Sequence, residues 1–400
     1  MVSNSPRLWS SISEYFVSPE TTRTFLKKSK AVGLQVNLGT RWPDGYLGAS
    51  FAKIPQVLPI VLPHAGRWEE LNLCFAAVEQ EHLDDIFNSL VSFRLPRLRD
   101  LKITYSRLTR DDKHPHLHFY KTWELSSLRS LTICRAIPKA FTAPLLTSLT
   151  VSNYDDRIDC RRLLKFISEN RALEEIMLEF SSCRKKPSPM PEEAVLDNVK
   201  TFKVELKLTS IDDLYSFREA LRIPNVRELS LRCQENVNHN LLLMEEDDDE
   251  EDGEVYSDIY LDFLLFGDEP YPHLESLSFE HDYCEGEYTL PFHKMPNLRT
   301  LKLHTSSPCP SVVGLGAIPP LRELHIYLHD SSWSSWMTLL HQYMLEQGRL
   351  QGLETIVIHH ENRSIWDISR LFANSRVVWE GSWLRNARTE KSELLVKFVA

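Results

Sequence analysis

The chain has 400 residues, 42% of them hydrophobic and 26% charged, fractions that belong to a folded protein and exclude global disorder. Nine acids between Glu245 and Glu254 carry nearly all of the formal net charge of -10. The remaining body is close to neutral, whereas a nucleic-acid-binding body of this size is expected to be clearly basic, so no nucleic-acid partner is expected.

The first 31 residues read as a helical and loop segment, with Ser5-Pro6-Arg7-Leu8-Trp9-Ser10-Ser11-Ile12 followed by Phe25-Leu26-Lys27-Lys28-Ser29-Lys30. Met1 is followed by neither a basic start nor an apolar stretch, so no secretory leader is expected. The seven cysteines are scattered without a Cys-x-x-Cys pair, which argues against a disulfide framework or zinc site. An intracellular compartment, cytoplasmic or nuclear, is the expectation. Gly33-Leu34-Gln35-Val36-Asn37-Leu38 alternates as a strand does. Ile54 to Leu62 is the most apolar segment, but Pro55 and Pro59 break it and it is too short to span a membrane.

Leu62-Pro63-His64-Ala65-Gly66-Arg67-Trp68-Glu69-Glu70-Leu71-Asn72-Leu73 then opens a phrase, Leu-x-x-Leu-x-Leu with conservative swaps. It recurs eleven times, from Trp68-Leu71-Leu73 to Leu353-Ile356-Ile358, with first residues 18 to 48 apart. Self-similarity of this kind marks a solenoid, in which each unit buries its apolar face only against its neighbours. Leucines two apart share one face of a strand, so each phrase predicts a short strand. A proline one or two residues earlier, as at Pro96, Pro224, Pro272, Pro296 and Pro320, is expected to close the preceding segment and admit the strand.

Between phrases, helical spacing occurs in Leu83-Ile86-Phe87-Leu90, Leu163-Leu164-Ile167, Leu214-Phe217-Leu221, Ile259-Phe263-Phe266 and Trp336-Leu339-Leu340-Tyr343. Strand then helix, repeated, predicts an α/β fold: an irregular leucine-rich-repeat solenoid over 32–378, an arc or horseshoe with parallel strands on the concave side and helices outside. Regular repeats place Asn or Cys three residues past the last apolar position. Here that position holds residues such as Ala76, Ser106, Tyr154 and Lys207, so no asparagine ladder is expected and backbone satisfaction should show local gaps. The acidic run predicts a disordered insertion over 244–255. Leu394-Leu395-Val396-Lys397-Phe398-Val399 predicts a final strand within a C-terminal cap, 379–400.

No phosphate-binding loop, nucleophile elbow or His-Glu-x-x-His pair occurs, and no catalytic, cofactor or metal residue is assigned. His114, His116 and His118 alternate beside Asp111 and Asp112, a pattern that suits zinc or copper but falls in a polar link, where a surface loop is the simpler reading. Binding is therefore expected between the leucines. The alternate strand residues should line the concave face, where eight acids stand against four bases. Arg and aromatic groups gather in the later strands, and hot spots favour them. Arg232, Glu280, Lys302, His304, Glu323, His325, Tyr327 and His359 are accordingly the candidate contacts for a protein partner.

In their order along the chain, the Pro6-x-Leu8-Trp9-Ser10 segment, the Ser29 turn before an alternating strand, and His64-x-x-Arg67-Trp68 at the head of the repeats resemble mushroom-type fungal F-box-like proteins with irregular leucine-rich repeats. The resemblance covers nearly the whole chain and implies substrate recognition for a ubiquitin ligase of the cullin-RING type. In that family the F-box, which docks on a Skp-type adaptor, precedes the Pro-x-Leu-Trp segment. Only Met1 to Ser5 precede it here, so the expectation is either an F-box encoded upstream or a repeat-only relative, a stand-alone scaffold without a ligase link.

Overall fold

The computed structural model describes residues 5–13, 18–39, 54–75, 93–105, 120, 122–135, 143–153, 160–180, 194–207, 221–234, 270–282, 290–305, 317–328, 342, 344–349, 352–360, 378–385 and 392–399. Within them the chain is an α/β protein made of two compact units, Met1–Glu179 and Phe180–Ala400.

The first unit holds β1 (Ser11–Ser13), β2 (Leu34–Gly39), β3 (Trp68–Phe75), β4 (Asp100–Tyr105), β5 (Ser130–Cys134), β6 (Ser148–Asn153) and β7 (Glu175–Phe180), neighbours in chain order. From β1 to β6 every pairing is parallel. The leucines meet in level rows: Val36, Leu71, Leu101, Leu131 and Leu149 form one, and Leu38, Leu73, Ile103, Ile133 and Val151 the next. All ten are buried. Fully burying such a side chain contributes about 1.5–3 kcal/mol, so these rows are the unit's main source of stability.

The second unit repeats the arrangement. Its strands β9 (Thr201–Lys207), β11 (Glu228–Gln234), β12 (Ser276–Asp282), β13 (Thr300–Thr305), β14 (Glu323–Leu328) and β15 (Thr355–His360) are parallel neighbours in that order. Phe202, Leu229, Leu277, Leu301 and Leu324 form one buried row, and Val204, Leu231, Phe279 and Leu303 another. β16 (Val378–Arg385) and β17 (Ser392–Val399) complete the edge antiparallel, with β17 against β15. The predicted final strand at 394–399 lies in β17. Two short strands, β8 (Ala194–Val195) and β10 (Leu221–Arg222), pair separately in parallel.

In all eleven phrases the second and third apolar residues lie on a strand. Their entry differs from the expectation in three ways. A four-residue turn ends on the first residue of most of them, closed by bonds such as Leu98 N to Leu95 O (3.1 Å), Leu274 N to Tyr271 O (3.2 Å) and Leu298 N to Met295 O (3.2 Å). Pro96, Pro272 and Pro296 occupy the second place of that turn, which suits their fixed φ; they shape the turn itself rather than ending a helix. The turn's first residue is a further core position, with Leu95, Leu125, Ile223, Tyr271 and Met295 all buried.

The second difference concerns asparagine. It is absent after the phrase but acts just before it: Asn225 Nδ2 donates to Asp197 O (2.8 Å) and Asn297 Nδ2 to Pro272 O (2.7 Å), while Ser127 Oγ donates to Pro96 O (2.6 Å). Third, backbone bonding is doubled at the strand entry, whereas most of the positions after the strand where gaps were expected lie outside the described residues. Single carbonyls accept two amides from the next strand, as Arg299 O does from Arg322 N (2.8 Å) and Glu323 N (3.0 Å).

Of the five predicted helical stretches, Leu163-Leu164-Ile167 lies on α3 (Cys160–Glu169), whose three predicted residues are buried together with Phe166. Leu221, the end of another, belongs to strand β10 instead. Leu83–Leu90, Ile259–Phe266 and Trp336–Tyr343, like the acidic run, lie wholly or mostly outside the described residues.

The N-terminal segment contains a 3-10 turn (Pro6–Trp9), β1 and α1 (Pro19–Ser29), and α2 (Ile54–Val61) follows β2. Its three-residue strand was not foreseen. Ser18 caps α1, its Oγ accepting from Thr21 N (3.2 Å), with Pro19 at the first helical position and Lys27 and Lys28 in the last turn. Trp9 packs edge-on to Phe25 at 5.1 Å, and Lys28 Nζ sits 3.9 Å over the Trp9 ring. Ahead of β3, Arg67 reaches back to the end of α1: Nη2 donates to Ser29 Oγ and to Val32 O, both at 2.8 Å.

Two classes of substitution should separate cleanly in urea unfolding. Leu301→Ala opens a cavity within a level row and is expected to cost about 2–5 kcal/mol. Asn297→Ala removes one hydrogen bond between adjacent turns and is expected to cost about 1 kcal/mol.

Candidate partner-binding face

Because leucines and intervening residues alternate, fixing the register of the leucines also sorts the intervening positions into rows. In the second unit three rows result. The first is Thr201, Glu228, Ser276, Thr300, Glu323 and Thr355; the middle is Lys203, Ser230, Ser278, Lys302, His325 and Val357; the third is Glu205, Arg232, Glu280, His304, Tyr327 and His359. The eight candidate residues therefore divide: Glu323 stands in the first row, Lys302 and His325 in the middle, and the other five in the third.

The third row is tied into a network. Glu280 Oε1 accepts from Arg232 Nε at 3.2 Å, and His304 Nδ1 lies 3.1 Å from the same oxygen. These groups are partly exposed, so the ion pair contributes at most about 1 kcal/mol to stability. Its larger effect is to hold the guanidinium of β11 and the imidazole of β13 around one carboxylate on the strand between them. Tyr327 and His359 take the next two positions by register. His304 and His359 thus share a row with Tyr327 between them, while His325 stands one row away.

His325 is set by its own surroundings. Burial lowers its pKa below the ordinary 6.5, the positive charge of Lys302 beside it lowers it further, and Glu323 opposes both. Its Nε2 is 3.7 Å from Glu323 Oε2. At neutral pH the imidazole is therefore mainly neutral, able both to donate and to accept.

The first unit offers a smaller and more neutral version. Gln35, Glu70, Asp100, Ser130 and Ser148 form its first row, and Asn37, Asn72, Lys102, Thr132 and Thr150 the middle. Gln35 Nε2 donates to Glu70 Oε1 at 2.8 Å. Cys74 and Cys134, neither in a disulfide, stand in its third row, with Thr104 between them. Among the described residues no group of three or more His, Cys, Asp or Glu could hold a metal ion, and no helix is long and apolar enough to cross a membrane. The Asp111–His118 histidine cluster lies outside the described residues.

The row structure was not read from the sequence, although the alignment of phrases carries it. It places Lys203, Ser230 and Ser278 beside Lys302 and His325, a set that the preference for Arg and aromatics passed over.

In a proton NMR titration the His325 imidazole should titrate below 6.5, and Lys302→Gln should move its midpoint upward while Glu323→Gln moves it downward. A folded-state pKa below the unfolded value means that this group's contribution to stability is complete above pH 6.5 and is lost as pH falls from there through the folded value. No family model and no curated protein matches this sequence.

Proposed function

We propose that the chain is a protein-protein interaction module, an irregular leucine-rich-repeat arc whose outward strand face receives a partner protein. The observation that carries this reading is the in-register array of parallel strands, which presents long rows of polar side chains on a surface the core does not use. Curved repeat arrays commonly bind partners on such a face. The partner's main contact is placed around Arg232, Glu280, His304, Tyr327 and His359, which share one register row. Catalysis is not part of the proposal, and no cofactor is required by it.

The resemblance to fungal F-box-like proteins supports a more specific version, in which the face selects substrates for a ubiquitin ligase through a Skp-type adaptor. Trp9, Phe25, Lys28, Ser29 and Arg67, which belong to the motif segments behind that resemblance, join one another in the N-terminal packing. The alternative is a stand-alone repeat scaffold without a ligase link.

Combining Arg232→Ala with Tyr327→Ala should weaken capture of a partner from the native cell extract, by about 2 kcal/mol or more for each anchor. Unchanged recovery would remove the contact from this row. For the ligase version, the product of the native transcript should co-purify with a Skp-type adaptor; its failure to do so would leave the scaffold reading.

A further inference from the structure

Charge on the second unit's face is sorted by row. The first row carries Glu228 and Glu323 and no base; the middle carries Lys203 and Lys302 with His325 and no acid; the third is the Arg232–Glu280–His304 network with Glu205 beside it. Lys203 is exposed and Lys302 partly so, and among the described residues neither takes part in an ion pair. Between them stand the half-exposed hydroxyls of Ser230 and Ser278. The same order recurs in the first unit, where Glu70 and Asp100 share the first row and Lys102 stands in the middle one.

We propose that the middle row of the second unit, Lys203, Ser230, Ser278 and Lys302, binds an extended acidic peptide segment of a partner protein, laid across the strands. The proposal rests on the reading of this face as a protein-binding surface and adds the chemistry and direction of what it holds.

Two geometrical facts select the occupant. Lys203 and Lys302 are three strand spacings apart, roughly 14 Å at about 4.8 Å each. In an extended peptide, residues i and i+4 lie on the same side about 13–14 Å apart. Carboxylates four residues apart therefore reach both lysines, and the side chain at i+2 falls over the two serines. The second fact is width. Neighbouring rows are two residues away along each strand, about 6.6 Å. Glu228 and Glu323 lie on one side and Glu205 and Glu280 on the other, with Arg232 of the third row paired to Glu280, so the strip formed by the lysines is one row wide. One peptide chain fits that strip. A nucleic acid, with phosphates spread over a wider path, would meet the flanking carboxylates and be repelled.

The test uses the full chain and three fluorescent probes: a ten-residue peptide with Glu at i and i+4 and Ser at i+2, the same peptide with Gln for Glu, and a single-stranded oligonucleotide. Fluorescence anisotropy at low salt should show binding of the Glu peptide alone, weakening as salt rises. Lys203→Glu with Lys302→Glu should weaken it at least about tenfold, while Lys102→Glu in the first unit leaves it unchanged. Circular dichroism of each variant confirms that it is folded. Equal binding by the lysine double variant, tighter binding of the oligonucleotide, or no binding of the Glu peptide would overturn the proposal. Should the Arg232→Ala, Tyr327→Ala variant still lose its native partner while the lysine variant keeps the peptide, the binding face stands and the acidic-segment inference alone falls.

Discussion

At most of the parallel strand entries one carbonyl accepts two amides from the next strand, and the register within each unit follows from it. Arg99 O receives Arg129 N and Ser130 N, Lys200 O receives Arg227 N and Glu228 N, and Arg322 O receives Glu354 N and Thr355 N. With the first residues of these strands aligned in this way, each runs level with its neighbour. A slip of one residue would turn leucines outward and lysines inward, an error that the buried rows make too costly to persist. The asparagine and serine bonds between adjacent turns reinforce the same alignment from the side chains.

That alignment explains why the phrase tolerates its irregular spacing. The 48 residues from Val226 to Leu274 and the 18 from Leu128 to Leu146 both return the chain to the same entry point. Between entries the chain uses different devices: α3 before β7, a 3-10 turn at Phe292–Lys294 before β13, and the small β8–β10 pair elsewhere. The strands are uniform because they must stack, whereas the connections need only cover the leucines.

Leucine periodicity made the strands legible, since period-two burial is written directly in residues such as Leu301 and Leu303. The stripe of Leu163, Leu164 and Ile167 made α3 legible for the same reason. Other features depend on a neighbour that the local sequence does not show. Met295 and Tyr271 look like isolated apolar residues until the turn places each against the core. Asn297 acts only because Pro272 O lies beside it in the preceding turn. Leu221 shares the helical spacing of Leu214 and Phe217, yet its strand partner, Ala194, is 27 residues away. At the face, composition showed polar character, but separating Lys302 from Glu280 and Glu323 required the register.

The N-terminal segments illustrate how a motif can be architectural. Trp9, Phe25 and Lys28 pack on one another, and Arg67 joins the end of α1 to the residue that begins β3. The register of the parallel strands remains the central claim, and cysteine cross-linking tests it most directly. Register partners on adjacent strands lie within disulfide reach, at a Cα separation of about 5 Å. Mild oxidation of Ser230→Cys with Ser278→Cys, mapped by peptide mass spectrometry, should join those two positions, whereas Ser230→Cys with Leu277→Cys should not. Equal joining of both pairs, or joining of the second alone, would contradict the account.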